Sequence, residues 1–350
     1  MLTWCLALAL ALAMAMAFSP VVASGFTATP GEAYRLSSDE QKQVERHPRS
    51  QPGQIGKVSL MAPAVLPMAL TRPATPPAFI WRLEGKSYTL DDYFQRHPVM
   101  AMLIAKDGEL VHERYQFGRT AQHRYLSNSM AKSITGLAMG FAMAEGKISS
   151  IDALLQSYLP ELKGTVYGET TLRNLMRMGS GVKYSETYLP GDDSSKFRDA
   201  AQKSGIVEAS RQFNEREAPQ GSRFSYASIE TSLIGAALKA ATGESVATYL
   251  SARLWQAIGA EGEAQWQLDR TGLEWAQCCV FALPRDYLRL GIVLANDGKR
   301  PDTGQQVVPR EYLLDSTDRH RADEPFRPRP GSSGYSNFFW LSGSKSRRFS

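Results

Sequence analysis

The stretch SNSMAKSITGLAMGFAMAEGKI, from Ser127 to Ile148, restricts what this chain can fold into more than any other part of it. Its apolar residues recur too densely for a helix with one wet face, so the spacing predicts a helix enclosed by other elements. Gly146 stands where such a helix closes in a cap. Ser129 falls in the first turn, and Lys132, three positions on, shares its face. A core has to surround that helix, while a hydroxyl and an amine sit together at its start.

The rest of the chain has the means to build that core. Its 350 residues are 43% hydrophobic and 21% charged, a composition that buries one or two domains and argues against general disorder. Residues 99–115, VMAMLIAKDGELVHERY, are two apolar runs parted by Lys106-Asp107-Gly108, and Asp-Gly between such runs predicts an antiparallel hairpin. SIDALLQSYL, TTLRNLMRM, IETSLIGAALKAAT, VATYLSARLWQAI and PRDYLRLGIVLAN read as further helices, several closed by glycines such as Gly243 and Gly259. No internal repeat organises them.

The N-terminal region reads differently. Residues 1–23 carry no charged side chain and hold an apolar run from Leu6 to Phe18, then Pro20 and the small residues Val21-Val22-Ala23, the pattern of a secretory signal peptide. The run is short for a bilayer span, so the expectation is a secreted or periplasmic protein with no stable membrane span after cleavage; an uncleaved anchor is the alternative. Residues 24–80, with Pro63, Pro67, Pro73, Pro76 and Pro77, read as a strap or linker, leaving residues 81–350 as the folded domain.

Charge selects no partner. The formal net charge of +5 comes from 40 basic and 35 acidic residues interspersed along the chain. The densest basic stretch, around Arg319, Arg321, Arg327, Arg329, Lys345, Arg347 and Arg348, has no accompanying aromatic stacking pattern. It reads as solvated surface, with no nucleic-acid partner. Cys5 lies in the leader, and the adjacent Cys278 and Cys279 have neither the number nor the spacing of a metal site. A vicinal disulfide is open to them in an oxidising compartment, but two small thiols inside an apolar segment are the expectation.

Ser129 and Lys132 have the makings of a nucleophile and its base. A hydroxyl attacks poorly at neutral pH, so a serine hydrolase must hold a base within hydrogen-bonding reach, and helical spacing brings the Lys132 amine there. The pattern Ser-x-x-Lys occurs three times, at Ser129, at Ser180–Lys183 and at Ser342–Lys345. The later two carry glycine between serine and lysine and are followed by turn-prone residues. Only Ser129 opens an apolar helix. Taken alone, Ser129 reads as a helix cap, Lys132 as a snorkelling amine, Tyr226 as a half-buried core aromatic, and Trp255, Trp266 and Trp275 as core or pocket walls.

Several segments change that balance together. SMAK is followed by GKISSIDALLQSYLPEL, then TTLRNLMRMGSGV, then PQGSRFSYASIETSLIGAALKAATG, then CCVFALPRDYLRLGIVLANDG. In this order they resemble the penicillin-recognising serine hydrolases, the superfamily of class C β-lactamases and transpeptidases, over roughly residues 80–343. The paired cysteines resemble the 6-aminohexanoate-dimer hydrolase branch, which cleaves small linear amides. The resemblance implies an α+β fold, an antiparallel sheet flanked by helices plus a mostly helical subdomain. It implies Ser129 as nucleophile, Lys132 as base, Tyr226 as the bridge for proton transfer to the leaving group, and Ser228 as a substrate-orienting hydroxyl. No cofactor motif occurs, and the expected chemistry needs only water beside a small amide, ester or peptide.

The resemblance has gaps. Met178 and Gly179 stand where the family usually reads His-Thr. No Lys-Thr-Gly triplet follows Tyr226, and Lys203-Ser204-Gly205 precedes it, in the wrong order. The sequence ends at GYSNFFWLSGSKSRRFS, where family members enter the strand bearing that third motif, so C-terminal strands and a helix are expected to be missing and activity to be reduced. A binding module and a β-lactamase or D-Ala-D-Ala carboxypeptidase are the rival readings. A Ser-His-Asp hydrolase is disfavoured, since no Gly-x-Ser-x-Gly elbow occurs and His112 reads as an outward-facing strand residue.

Overall fold

The computed structural model describes residues 4–5, 56–344 and 347–350, and the leader expected over residues 1–23 lies outside them apart from Trp4–Cys5. The strands begin with β1 (Trp4–Cys5), β2 (Val58–Met61) and the hairpin β3 (Ile80–Leu83) with β4 (Lys86–Thr89). Thr89 caps helix α1 (Leu90–Arg96) in a reciprocal box with Asp92. Next come β5 (Ala101–Lys106) and β6 (Glu109–Tyr115), whose turn residues Asp107 and Gly108 both hold positive φ, 53° and 85°, as a two-residue hairpin turn requires. Strand β1 pairs with the far edge of β5.

A second sheet, built from β2, β8 (Ala264–Gln267), β9 (Val280–Ala282) and β7 (Tyr125–Leu126) in that order, is antiparallel throughout. The proline-rich stretch contributes its first strand and then runs along the body, burying Met61 and Met68. Strand β7 leads directly into α2 (Met130–Ala144), the apolar helix on which the core was expected to form. Eleven of its residues, from Ala131 to Ala142, are buried. The apolar ones among them lie in one continuous cluster with Leu233, Ile234 and Ala237 and with Trp255 and Trp266.

Two glycines let α2 be approached so closely. A Cβ at Gly136 would lie 2.5 Å from the Asn337 carbonyl oxygen, and one at Gly140 would lie 2.4 Å from the Tyr312 ring. The other α-helices among the described residues are α3 (Leu172–Met176), α4 (Asp193–Ser204), α5 (Ile206–Ser210), α6 (Ser228–Thr242), α7 (Val246–Leu250), α8 (Pro284–Ala295) and α9 (Arg310–Thr317). Gly243 ends α6 in the left-handed conformation. The fold is α+β, with antiparallel sheets and a helical region around α3 to α6.

Helix α8 fixes the strap to the body. Asp286 is fully buried and accepts from the amides of Glu261 (2.7 Å) and Gly262 (2.9 Å) and from Arg289 (2.7 Å). Arg289 in turn donates to the Met68 carbonyl at 2.9 Å. A buried charge is tolerable when its lone pairs and protons are all answered in this way.

Towards the end of the chain, β10 (Gly334–Ser336) and β11 (Phe339–Leu341) form a hairpin. The last described residues return beside β11, with Leu341 bridged to Phe349 and Trp340 exchanging both backbone bonds with Ser350, at 2.8 and 3.1 Å. Among the described residues no helix is long and apolar enough to cross a membrane.

Candidate active site

Strand pairing aims the start of α2. Ser127 donates its amide to the Val280 carbonyl (2.8 Å) and accepts the Val280 amide on its hydroxyl (3.1 Å). Asn128 then takes a positive φ of 45°, turning the chain sharply from β7 into the helix. Ser129 follows with helical angles, φ −65° and ψ −8°, and makes no capping bond. A capping serine needs extended backbone, so the helix-cap reading of Ser129 fails on geometry. Its hydroxyl is left for other partners, and the residue is exposed to solvent.

Those partners are Lys132 and Tyr226. Lys132 is 2% exposed, and its Nζ donates to Ser129 Oγ at 3.0 Å and to the Gln277 carbonyl at 3.1 Å. No carboxylate pairs with it among the described residues. The amine also lies 4.9 Å from the centre of the Tyr226 ring, and the Tyr226 hydroxyl donates to Ser129 Oγ at 2.9 Å. One exposed hydroxyl is thus held between a buried amine and a phenol, an arrangement suited to proton transfer in either direction. The Ser129 amide, at the helix N-terminus, has no backbone acceptor among the described residues, which makes it a candidate donor for an oxyanion.

The phenol is held from both sides. The backbone of Met178, itself at a positive φ of 57°, accepts the Ser225 amide at 2.8 Å, and its sulfur accepts the Ala227 amide at 3.4 Å. Trp340 stacks on the Tyr226 ring at 5.9 Å and 17°. Tyr335 and Phe224 complete an aromatic wall, each 6.4 Å from Tyr226. Tyr335 is buried, and that burial pushes its hydroxyl well above the usual phenol range.

Ser228, at the first position of α6, is already engaged. Its hydroxyl donates to Glu186 Oε1 and its amide to Glu186 Oε2, both at 2.6 Å, and the Tyr188 hydroxyl reaches the same carboxylate at 3.0 Å. The loop carrying Glu186 is pinned by Asp192, which accepts from the amides of Thr187 (2.9 Å), Tyr188 (2.8 Å) and Ser195 (2.8 Å). Burial alone raises Asp192, but the amide and hydroxyl donors of Ser195, Ser194 and Thr187 outweigh it and hold the carboxyl at about 2.

A model of the β-lactamase family matches residues 89–346, about three quarters of the chain. The chain belongs to the β-lactamase family. It is a serine hydrolase of that family. A 6-aminohexanoate-dimer hydrolase from Paenarthrobacter ureafaciens is 26% identical over 287 residues, covering 78% of this chain and 72% of that protein. A solved structure from Bacillus anthracis, provisionally described as a 6-aminohexanoate-dimer hydrolase, superposes with a TM-score of 0.76 at 24% identity, over 92% of this chain and 86% of that one. The octameric penicillin-binding protein homologue from Pyrococcus abyssi shares the fold at a TM-score of 0.52 and 18% identity, over 71% and 62% of the two chains.

Within this β-lactamase-family fold the two decoy patterns separate from the site. The Ser180 hydroxyl is buried and donates to Glu230 at 2.5 Å, whereas Lys183 is exposed and pairs with Glu215 at 2.9 Å. Serine and lysine of that pattern never meet. Lys345, of the third, lies outside the described residues. Trp255, Trp266 and Trp275 are core residues.

Two expectations need correction. His112 does not face outward; it packs against Phe79 and Phe94, with ring centres 6.0 and 5.8 Å away. The aromatic cluster beside β6 covers the face that alternation assigned to solvent. Cys278 and Cys279 are a disulfide instead of two thiols, and both are partly exposed. In extended backbone neighbouring side chains point apart, but Cys279 adopts a positive φ of 72°, which breaks that alternation. Glu186, Trp340 and Tyr335 were missed, because each reaches the site from more than 30 residues away in sequence, by contacts that local pattern does not encode.

Proposed function

We propose that this serine hydrolase works through an acyl-enzyme on Ser129, with Lys132 as base and Tyr226 as proton carrier, and that its substrate is a small amide or ester. One observation carries the mechanism: the exposed Ser129 oxygen has an amine at 3.0 Å and a phenol at 2.9 Å. Lys132, in its neutral form, takes the hydroxyl proton as Ser129 Oγ attacks the substrate carbonyl. The oxyanion forms near the Ser129 amide at the start of α2. The proton passes through Tyr226 to the leaving amine or alkoxide, and the carbon–nitrogen or carbon–oxygen bond breaks. Water then enters with the same groups in reversed roles, releasing the acid and restoring Ser129.

Support for a small amide comes from the Paenarthrobacter relative, whose name specifies hydrolysis of a 6-aminohexanoate dimer. The aromatic wall of Phe224, Tyr335 and Trp340 suits an apolar acyl or leaving chain better than a highly charged one. Secretion to an oxidising compartment is part of the same reading, supported by the leader pattern in residues 1–23 and by the Cys278–Cys279 disulfide.

A fluorophosphonate probe tests the assignment. Wild-type protein is expected to take up one label, and Ser129→Ala none. Lys132→Ala should label at least about 100-fold more slowly, the scale of general-base catalysis. Equal labelling of wild type and Ser129→Ala would defeat the proposal.

A further inference from the structure

The amine of Lys132 is aimed by one backbone carbonyl, and that carbonyl sits beside the disulfide. Gln277 O accepts from Lys132 Nζ at 3.1 Å, so the orientation of the peptide plane between Gln277 and Cys278 decides where the amine points. That plane is followed at once by the small ring that the Cys278–Cys279 disulfide closes around its own peptide bond. The segment is anchored on both sides of it. Thr135 of α2 donates to the Ala276 carbonyl at 3.0 Å, and Ser232 of α6 donates to Gln277 Oε1 at 2.6 Å. Trp266 Nε1 holds the Cys278 carbonyl at 2.9 Å, and the Gln267 amide holds the Cys279 carbonyl at 3.1 Å. Cys279 keeps its left-handed φ of 72° within this frame, a conformation that an unlinked side chain disfavours.

We propose that the Cys278–Cys279 disulfide is a positioning element for Lys132: it fixes the Gln277 carbonyl that holds the amine against Ser129, and its reduction slows acylation. The proposal rests on Lys132 acting as the base. Both cysteines are partly exposed, so a small dithiol can reach them. Its thiolate attacks one cysteine sulfur, the S–S bond breaks, and a mixed disulfide forms as the other sulfur leaves as thiolate. The second thiol of the reagent then displaces the enzyme, leaving two cysteine thiols here and an intramolecular disulfide in the reagent. Freed of the ring, Cys279 relaxes toward negative φ and carries the neighbouring peptide planes with it.

The test uses the full chain, oxidised and after dithiothreitol, with the redox state read by alkylation and mass spectrometry. Reduction is expected to lower the burst-phase acylation rate for an activated ester, and with it kcat/KM, by about 10- to 100-fold, the cost of misplacing a catalytic group by roughly 1 Å. Removal of the reductant and reoxidation should restore the rate. Cys278→Ser/Cys279→Ser should be equally slow and indifferent to dithiothreitol. If that variant fails to fold, Cys278→Ala/Cys279→Ala, which removes the crosslink without relieving the positive φ, takes its place. A crosslink-free form acylated at the oxidised wild-type rate would overturn the proposal. If oxidised wild type neither turns over nor labels at Ser129, the mechanistic reading has failed, and hydrogen exchange decides the positioning question alone. Faster exchange over residues 276–282 and the first turn of α2 on reduction supports it, and unchanged exchange refutes it.

Discussion

In the proposed mechanism Ser129, Lys132 and Tyr226 divide the work by exposure. The serine is exposed, where a substrate can arrive, while the Lys132 amine beside it is buried and bonded to the Gln277 carbonyl. Tyr226→Phe keeps the ring stacked on Trp340 but removes the hydroxyl that donates to Ser129. Its kcat should fall by about 100- to 10,000-fold, the range for a positioned proton carrier, with the unfolding midpoint nearly unmoved; stopped-flow acylation and thermal denaturation measure the two. Spacing made Ser129 and Lys132 legible, because a helix puts positions three apart on one face. Tyr226 became legible through family resemblance, and Glu186 and Trp340 were hidden because their roles exist only in tertiary contact. Ser228 shows the difference: its position was readable, but its engagement with Glu186 was not.

Among the elements, α2 and the loop before α4 are the most exacting. Gly140→Ala would press its new Cβ into the Tyr312 ring, which is pinned by a 2.6 Å bond from its hydroxyl to the Gly136 carbonyl. Although alanine favours helix intrinsically, overpacking should dominate and cost about 1 to 3 kcal/mol in denaturant unfolding. The loop before α4 depends on Asp192, whose carboxyl is held at about 2 against an ordinary value of 3.8. Because its folded value is depressed, the stabilisation is fully present above about pH 4. It is lost as the pH falls toward 2, by about 1 to 2 kcal/mol. Asp192→Asn should lack that acid-limb loss when stability is measured between pH 5 and pH 2. The hairpin at Asp107-Gly108 and the boundaries of α2 were readable from turn chemistry and apolar density. The disulfide was misjudged because periodicity says nothing of a left-handed residue such as Cys279.

Across the whole molecule, one apolar cluster joins the second sheet, α2, α6 and the C-terminal hairpin, from Met61 to Phe339. The strap joins this unit through Met61 in the cluster and through backbone contacts, with Arg289 on the Met68 carbonyl and the Ala64 and Met68 amides on the Ala260 and Gly259 carbonyls. Asp286→Ala leaves Arg289 buried with the Glu261 carboxylate, at 3.0 Å, as its only ion pair among the described residues and should cost about 3 kcal/mol or more in guanidinium unfolding. The α+β class and the order of the family's segments were legible in the sequence. The return of residues 347–350 onto β11, which covers the backbone of Trp340 and Leu341, was not, since backbone pairing of a polar, charged tail leaves no apolar pattern to read.

Of the three serines placed three residues before a lysine, Ser129 is the one proposed to carry the acyl group. Mixing the protein with an excess of chromogenic ester, quenching within the first turnover and mapping the adduct by peptide mass spectrometry tests it most directly. The acyl group is predicted on the peptide containing Ser129, with a burst equal to the enzyme concentration. An adduct on Ser180 or Ser342, or steady turnover with no adduct at Ser129, would contradict the account.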